Sequence, residues 1–313
     1  MSIVRSVITP TPADLTRAQE VVSRSLAPTP LLPPGPGSNL HLKAESLQPI
    51  GSFKVRGGLA AVDAVPADRP VITASAGNHA LGVAYAATLL GRRAIVVTAE
   101  NASVAKMEAI RRFPVEHIQV GTSFDDAEAY ALDRAADGAT YVSAYNDPHV
   151  IAGQATIGRE LEQQMTGAYT VVCGVGGGGL AAGLGLWAAQ RDDVRIVGVE
   201  TAASTAVSAA VAAGHQVDVQ IGPSIADGMA GNIEPGSLTI ELIRDYVDQL
   251  LTVTENEIRA AIRYLAIERG IVAEGAGAAA AAAVLTGKVH GPAVAIVSGR
   301  NITAHLLGEI LRG

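Results

Sequence analysis

The chain has 313 residues, of which 49% are hydrophobic and 17% are charged, with 34 glycines and 15 prolines. This length suits two ordinary domains or one large one, and the composition excludes a mainly disordered chain. The formal net charge is −7, and the sequence contains no dense run of Lys and Arg. Nucleic acid and anionic membranes are therefore poor candidates as main partners, and we expect small-molecule ligands.

The single cysteine, Cys173, cannot form an internal disulfide, and the seven histidines are scattered without the spacing of a zinc site. The N-terminal region has no apolar run typical of a signal peptide. No segment approaches the roughly 20 apolar residues that a membrane-spanning helix needs. These features predict a cytoplasmic protein.

The first half of the chain alternates helical and extended patterns. Thr11 is expected to cap a helix over 12–26, and a proline-rich connector over 27–37 follows it. Predicted strands cover 71–74, 94–97, 115–120 and 140–143, and predicted helices end at Gly91, cover 105–113 and cover 125–136. This alternation predicts a parallel sheet with right-handed crossover connections.

The second half repeats this arrangement. Its predicted strands, 170–175, 195–199 and 294–297, are short apolar runs typical of buried parallel strands. Thr254 and Glu257 form a capping box that begins a helix ending at Gly270. A helix over 276–285 is nearly all alanine, so it can approach its neighbours closely. The whole pattern predicts an α/β fold of parallel sheets flanked by helices.

Lys54 is the first candidate site residue, and it follows the segment Gly51-Ser52-Phe53. Most lysines only solvate a surface. A lysine among small residues and one aromatic ring can instead be a nucleophilic amine, which needs partial dehydration to lose its proton and react with a carbonyl group. The residues around Lys54 leave both interpretations open.

The second candidate site, Ser75-Ala76-Gly77-Asn78-His79, lies where a predicted strand runs into a helix. The N–H groups at a helix N-terminus are unpaired and favour an anion such as a carboxylate. Ser75 and Asn78 add side-chain donors. A simple helix cap would explain Ser75 or Asn78 but not the whole segment.

The third candidate site is the glycine loop, Gly176-Gly177-Gly178-Gly179, between a predicted strand and a helix. Backbone without Cβ atoms can curl several N–H groups around a phosphate. Gly174, Gly176 and Gly179 also match G-x-G-x-x-G, and Glu200 follows about 20 residues later, as in NAD-dependent dehydrogenases. The loop alone is compatible with both kinds of ligand.

Pyridoxal 5'-phosphate would use all three sites together, because its aldehyde needs an amine, its phosphate needs a cradle and its substrate carboxylate needs donors. A nicotinamide-dependent dehydrogenase would explain the glycine loop and assign nothing to Lys54 or Asn78. Ser298, just after the predicted strand 294–297, falls where ligands collect in open α/β sheets. The pyridoxal phosphate interpretation is therefore favoured, and a dehydrogenase or a non-catalytic binding protein remains the alternative.

An ordered set of motifs resembles the serine/threonine dehydratases of pyridoxal phosphate fold type II, relatives of catabolic threonine dehydratase and serine racemase. The matching motifs, in chain order, are Thr29-Pro30-Leu31, Glu45-Ser46-Leu47-Gln48, Gly51-Ser52-Phe53-Lys54, Ser75 to His79, Asp147-Pro148 with Ile151-Ala152-Gly153-Gln154, the glycine loop, Ile225-Ala226-Asp227-Gly228, Glu274-Gly275-Ala276-Gly277 and Ser298 to Asn301.

This resemblance implies the two-domain fold shared with the tryptophan synthase beta subunit. A large cofactor-binding domain would comprise 1–47 and 147–313, and a small mobile domain would comprise 48–146. Homodimerisation is a further expectation from the family. Because the chain ends just after its last predicted helix, a C-terminal regulatory domain is not expected.

The resemblance also implies residue roles. Lys54 would carry the cofactor as a Schiff base and later act as the base at the substrate Cα, and Phe53 would flank the ring. Asn78 would bond the ring hydroxyl oxygen, Gly176 to Gly179 would hold the phosphate, and Ser298 would face the pyridine nitrogen. The segment Ser75, Ala76, Gly77, Asn78 and His79 would bind the substrate carboxylate.

The implied reaction is β-elimination from L-threonine or L-serine, giving a 2-keto acid and ammonia. Another β-hydroxy amino acid such as threo-3-hydroxyaspartate is the alternative substrate, and a synthase that replaces the β-substituent with a thiol is the nearest competitor. A serine in the racemase-like members corresponds to Ala76, so we expect dehydration to exceed racemisation.

Two further residues bear on this comparison. Arg300 stands where the family usually has glycine, and we expect its side chain to turn to solvent; the alternative places it near the ring. Glu200 resembles the first ligand of a divalent-metal site in racemase-like members, but 204–209 supply no second carboxylate. No metal is therefore assigned.

Overall fold

In the computed structural model, which describes residues 5–313, ten strands form two separate sheets. The strands are β1 (Leu31–Leu32), β2 (Leu40–Lys43), β3 (Val71–Ala74), β4 (Ala94–Thr98), β5 (Glu116–Gln119), β6 (Thr140–Tyr141), β7 (Tyr169–Gly174), β8 (Val194–Thr201), β9 (Gln249–Val253) and β10 (Ala293–Ile296). One sheet has six strands in the order β1-β2-β10-β7-β8-β9, and the other has four in the order β5-β4-β3-β6.

Pairing is parallel throughout both sheets except between β1 and β2, which are antiparallel. The parallel strands predicted from apolar runs are confirmed, with ends shifted by up to two residues. β6 pairs over only two residues, because the Ser143 hydroxyl accepts a hydrogen bond from the Asn146 N–H and begins a turn.

Twelve α-helices cover the sheets in the described part of the chain. They are α1 (Pro12–Ser25), α2 (Lys54–Ala64), α3 (Asn78–Leu89), α4 (Val104–Arg111), α5 (Phe124–Ala136), α6 (Pro148–Gln164), α7 (Gly179–Ala188), α8 (Ala206–Ala213), α9 (Leu238–Tyr246), α10 (Glu255–Arg269), α11 (Gly275–Leu285) and α12 (Ala304–Arg312). Within residues 5–313, none of the helices combines the length and apolar character needed to cross a bilayer.

Local sequence sets the predicted helix ends. Thr11 caps α1 in a capping box with Asp14, and Pro12 stands at the first helical position. Thr254 and Glu257 form the predicted box on α10, and Gly270 ends that helix in the left-handed conformation with φ 65°. These predictions are confirmed because both signals act over only a few residues.

Helices cover both faces of the six-stranded sheet. Val172 of β7 packs in the cluster that contains the buried alanines of α11, whereas Val171 and Cys173 pack with Leu180 and Leu184 of α7. Burial on both faces explains why these strands are continuous apolar runs. The predicted alanine-rich helix is confirmed as a packing helix.

Helix α2, which begins at Lys54, packs tightly between α3 and α6. A Cβ atom on Gly58 of α2 would lie 2.5 Å from the Gly82 carbonyl oxygen of α3. A Cβ atom on Gly153 of α6 would lie 2.6 Å from the Arg56 carbonyl oxygen. Only glycine permits such approaches, so the start of α2 is closely confined.

A buried ion cluster lies behind the start of α2. Arg56 donates from Nε and Nη2 to both carboxylate oxygens of Glu45, at 2.8 Å each, and from Nη1 to Glu160 at 2.7 Å. Lys43 Nζ contacts Glu160 Oε2 at 2.5 Å. Burial alone would raise the pKa of Glu45, but the Arg56 guanidinium leaves it lowered. Every charge in this cluster is paired, as burial requires.

Replacing Glu45 with glutamine should destabilise the protein by about 3 kcal/mol or more, because Arg56 would keep a buried charge without its main partner. Asp63→Asn is the matched control, since Asp63 lies on the same helix as Arg56 and pairs with the exposed Arg17 at 2.8 Å. That loss should stay below about 1 kcal/mol. Urea denaturation followed by circular dichroism measures both, and equal losses would contradict the assignment.

Candidate active site

A cavity of about 760 Å³ is lined by segments from both sheets. All residues that the sequence analysis assigned to the site line this cavity: Phe53, Lys54, Ser75, Ala76, Gly77, Asn78, His79, Gly176, Gly177, Gly178, Gly179 and Ser298. Phe53 and Lys54 stand at the start of α2, and the other segments follow the carboxyl ends of β3, β7 and β10, where ligands collect in parallel sheets. The structure therefore brings the three predicted sites together.

Lys54 is the first residue of α2, and its side chain is only partly exposed. Its Nζ donates a hydrogen bond to the Ala144 carbonyl oxygen at 2.6 Å and lies 5.3 Å from the centre of the Phe53 ring. Burial lowers the pKa of the Lys54 amine to about 8. A sizeable fraction of this amine is therefore neutral near physiological pH, as a nucleophile requires.

Short backbone contacts fix Lys54 relative to the end of β10. Phe53 N–H donates to the Ser298 carbonyl at 3.0 Å, and Arg300 N–H donates to the Gly51 carbonyl at 2.8 Å. Ser52 and Gly299 form an antiparallel bridge between these two bonds. Lys54 and Ser298 thus reach the same cavity although 244 residues separate them in the sequence.

The segment Ser75 to His79 joins β3 to α3 as predicted. Ser75 Oγ accepts a hydrogen bond from the Gly77 N–H at 3.1 Å, so its own proton is free to donate elsewhere. The buried His79 ring places Nε2 3.1 Å from the Val142 carbonyl oxygen, which assigns the proton to that nitrogen. Burial and the nearby Lys54 charge lower the pKa of His79 to about 3, so the ring stays neutral.

Asn78 takes part in a side-chain network that the sequence analysis did not identify. Its Nδ2 donates to Glu274 Oε1 at 2.6 Å, and its Oδ1 accepts from Asn301 Nδ2 at 2.5 Å. Burial raises the pKa of Glu274 to about 7; the Asn78 hydrogen bond opposes this rise and the Asp227 charge adds to it. The sequence signal for Glu274 was its position as a single carboxylate just before the alanine-rich helix.

The glycine loop leads from β7 into α7. Gly178 has φ 88°, and a Cβ atom on Gly176 would lie 2.7 Å from the Gly228 carbonyl oxygen. Among the described residues, the N–H groups of Gly176, Gly177 and Gly178 have no assigned protein acceptor. A dianionic phosphate fits this loop, because it accepts such bonds and benefits from the α7 N-terminus.

Tyr145 supports the glycine loop and is a second residue that sequence analysis missed. A Cβ atom on Gly177 would collide with the Tyr145 ring, and one on Gly179 would lie 3.0 Å from the Tyr145 Cα. The Tyr145 hydroxyl accepts a hydrogen bond from the Glu234 N–H at 2.8 Å. Glycine in the loop is therefore required by this packing as well as by the loop's curvature.

The expectation for Arg300 is wrong. Its Nη1 donates to the carbonyl oxygens of Ser46 and Gln48 instead of turning to solvent. These carbonyls belong to the turn Glu45–Leu47 and its end, which leave acceptors available at that place. Arg300 does not line the cavity, so the alternative position near the ring is not observed either.

Glu200 lies apart from the cavity lining, at the carboxyl end of β8. Its carboxylate accepts hydrogen bonds from the Val207 N–H at 2.9 Å and the Ser208 N–H at 3.2 Å. Between residues 5 and 313, no group of three or more His, Cys, Asp or Glu side chains is placed to hold a metal ion. In this structure the Glu200 carboxylate accepts backbone hydrogen bonds at the start of α8.

Comparison with known proteins places this geometry in a family. The family described as pyridoxal-phosphate dependent enzyme matches residues 22–299. The L-threonine ammonia-lyase of Thermotoga maritima is 40% identical over 95% of this chain and 77% of its own length. A putative threonine dehydratase of Sinorhizobium fredii is 36% identical over 96% of this chain and 94% of its own.

Solved structures agree. Maize serine racemase superposes with a TM-score of 0.89 at 26% identity, covering 97% of this chain and 98% of the racemase. Threonine deaminase isoform 2 from Solanum lycopersicum gives a TM-score of 0.86 at 30% identity, covering 100% of this chain and 96% of the deaminase. The chain belongs to the pyridoxal-phosphate dependent enzymes, and its cofactor is pyridoxal phosphate. The fold class and family predicted from the motifs are confirmed.

Gly176→Ala should weaken pyridoxal phosphate binding by about tenfold or more, since the added methyl would press on the Gly228 carbonyl and displace the loop N–H groups. Gly231→Ala is the control, because a Cβ atom there meets nothing within 4 Å. Titration of cofactor-stripped protein, followed by absorbance, measures both affinities. Equal affinities in the two variants would contradict the loop's assignment.

Glu274 should impose a pH dependence on stability. Its pKa is about 7 in the folded chain against 4.5 ordinarily, so the folded state binds more protons between these values. Wild-type stability should fall as pH rises through this window, by about 3 kcal/mol in total, and then level off. The free energy of unfolding should be measured across this pH range for cofactor-stripped wild type and Glu274→Gln. Only wild type should lose stability as the pH rises, and the same pH dependence in both proteins would refute the prediction.

Proposed function

We propose that the protein is an ammonia-lyase that eliminates the β-hydroxyl of L-threonine or L-serine, giving a 2-keto acid and ammonia. The observation that carries this proposal is the partly dehydrated Lys54 amine in one cavity with the glycine loop and the Ser75–His79 segment. The L-threonine ammonia-lyases among its relatives support the same reaction.

Lys54 has two tasks in this proposal: it binds the cofactor and it moves the substrate Cα proton. Its lowered pKa suits both tasks, because an amine that is readily deprotonated can react with an aldehyde and accept a proton near pH 8. The Ala144 carbonyl, 2.6 Å from Nζ, gives the amine a fixed resting position. When bound, pyridoxal phosphate spreads the negative charge left at Cα, which allows the β-hydroxyl to depart.

The Ser75–His79 segment would bind the substrate carboxylate. The N-terminus of α3 supplies backbone N–H groups, and the Ser75 hydroxyl keeps its proton available. The neutral His79 adds no charge that would compete for the carboxylate. Asn78 would bond the ring hydroxyl oxygen, and Phe53 would flank the ring.

Gly176 to Gly179 would hold the phosphate, and Ser298 would face the pyridine nitrogen. The Ser298 hydroxyl donates to the Ala276 carbonyl oxygen at 3.3 Å, and it would exchange this bond for one to the unprotonated pyridine nitrogen. A hydroxyl, unlike a carboxylate, does not hold a proton on the pyridine nitrogen. Prompt loss of the β-hydroxyl is then favoured over a persistent negative charge at Cα. Ala76 offers no hydroxyl as a second proton donor, which supports elimination over racemisation.

The domain division, the cellular compartment, the oligomeric state and the second substrate are also proposals. Residues 48–146, which contain the four-stranded sheet, would form the small mobile domain, and 1–47 with 147–313 would form the large domain; residues 1–4 lie outside the described part. We place the enzyme in the cytoplasm as a homodimer, with serine as a second substrate. The buried Cys173, whose thiol pKa is raised to about 12 by burial, is compatible with a reducing compartment.

A keto-acid assay across L-threonine, L-serine and threo-3-hydroxyaspartate tests the proposed function. Wild type should form 2-ketobutyrate from threonine and pyruvate from serine. Lys54→Ala and the charge-preserving Lys54→Arg should both lose about 10³-fold in kcat, since neither supplies the amine. Chiral analysis of the serine reaction that finds D-serine forming faster than pyruvate, or keto acid only with added nicotinamide cofactor, would refute the proposal.

A further inference from the structure

An ion pair spans the mouth of the cavity. Lys106 Nζ on α4 contacts Asp227 Oδ2 at 2.9 Å, and Asp227 lies in the segment between α8 and α9. The two side chains are 47% and 68% exposed, and both line the cavity. The pair therefore connects a helix of the four-stranded sheet with a loop attached to the six-stranded sheet.

The charges that line the cavity are few. Among the described residues, its lining contains two ammonium groups, Lys54 and Lys106, and two carboxylates, Asp227 and Glu274. Lys54 is used by the cofactor and by proton transfer, and His79 is neutral. Lys106 is thus the one lining cation left for an anionic substrate side chain, and Asp227 already pairs with it.

The lining residues close to Lys106 in the chain are mostly apolar, with Ser103 as the polar exception. Ala105 and Ala109 lie on the same helix, and Phe124, which is 53% exposed, begins the next helix along the chain. Such a wall suits a hydrogen atom or a methyl group on the substrate Cβ. A carboxylate there would lose water and gain no unpaired cation.

We propose that Asp227 is a specificity-determining residue: by neutralising Lys106 at the cavity mouth, it excludes substrates that carry a second carboxylate. This inference rests on the proposed elimination reaction, and it distinguishes threonine and serine from threo-3-hydroxyaspartate at the same site. The motif Ile225-Ala226-Asp227-Gly228 then has a role that the cofactor does not explain.

The pair can act on a substrate without holding the fold together. Exposed ion pairs contribute little to stability, so removing Asp227 should leave the structure intact. The freed Lys106 ammonium would still attract a carboxylate within several ångströms, well inside the screening distance at physiological salt. Selectivity should therefore respond to Asp227 more strongly than stability does.

The test compares wild type, Asp227→Asn and the double variant Asp227→Asn with Lys106→Met, all as holoenzymes. Asp227→Asn should raise kcat/KM for threo-3-hydroxyaspartate relative to threonine by about tenfold, as expected for exposing one cation to a nearby carboxylate. The double variant should lose this gain. Glu309→Gln is the control, since it removes a carboxylate from the remote pair with Arg259 at 2.9 Å.

Binding gives a readout that does not depend on turnover. Calorimetric titration with succinate and butyrate should show about a tenfold rise in the succinate-to-butyrate affinity ratio in Asp227→Asn alone. An unchanged ratio in Asp227→Asn, or an equal rise in the double variant, would overturn the inference. Absence of keto acid from threonine in wild type would instead overturn the proposed function, while the titration still decides the role of Asp227.

Discussion

The site depends on one constraint: the chain before α2 is bonded to the chain after β10. The bonds from Phe53 N–H to Ser298 and from Arg300 N–H to Gly51 bring the start of α2 to the carboxyl edge of the six-stranded sheet. Because the glycine loop leaves the same edge after β7, the Lys54 amine and the glycine loop must face one space. Neither sheet alone contains both groups.

The buried charges of Arg56, Glu45 and Glu160 also hold the start of α2 in place. Arg56 lies two residues after Lys54 and is fully buried between Glu45 and Glu160. Its bidentate bond to Glu45 fixes direction as well as distance, which an apolar side chain of similar volume would not do. The energetically costly ion cluster therefore lies close to the reactive lysine, where the orientation of the chain matters. Glycines allow α3 and α6 to pack closely against the start of α2.

Short-range patterns predicted much of this structure. Capping residues at Thr11 and Thr254 and apolar runs such as 71–74 act within a few residues, so their elements could be identified from the sequence alone. β2 could not, because it ends in Lys43, whose buried ammonium is paired with Glu160, 117 positions away. The Asn78–Glu274 bond joins residues 196 positions apart, and motif matching identified both segments without revealing that they meet.

The cavity is lined by two kinds of polar group: backbone N–H groups, which do not titrate, and side chains, which do. The proposed phosphate-binding loop offers backbone N–H groups, whose partial charges do not titrate, whereas the Lys54 amine that would bind the aldehyde has a pKa of about 8. Burial raises the pKa of Glu274 to about 7, whereas the more exposed Asp227 carboxylate pairs with Lys106. The charged ion pair therefore lies at the exposed end of the cavity, while burial reduces the negative charge on Glu274 near neutral pH. The two places are nevertheless coupled, because the Asp227 charge adds to the rise in the Glu274 pKa and Glu274 is bonded to Asn78.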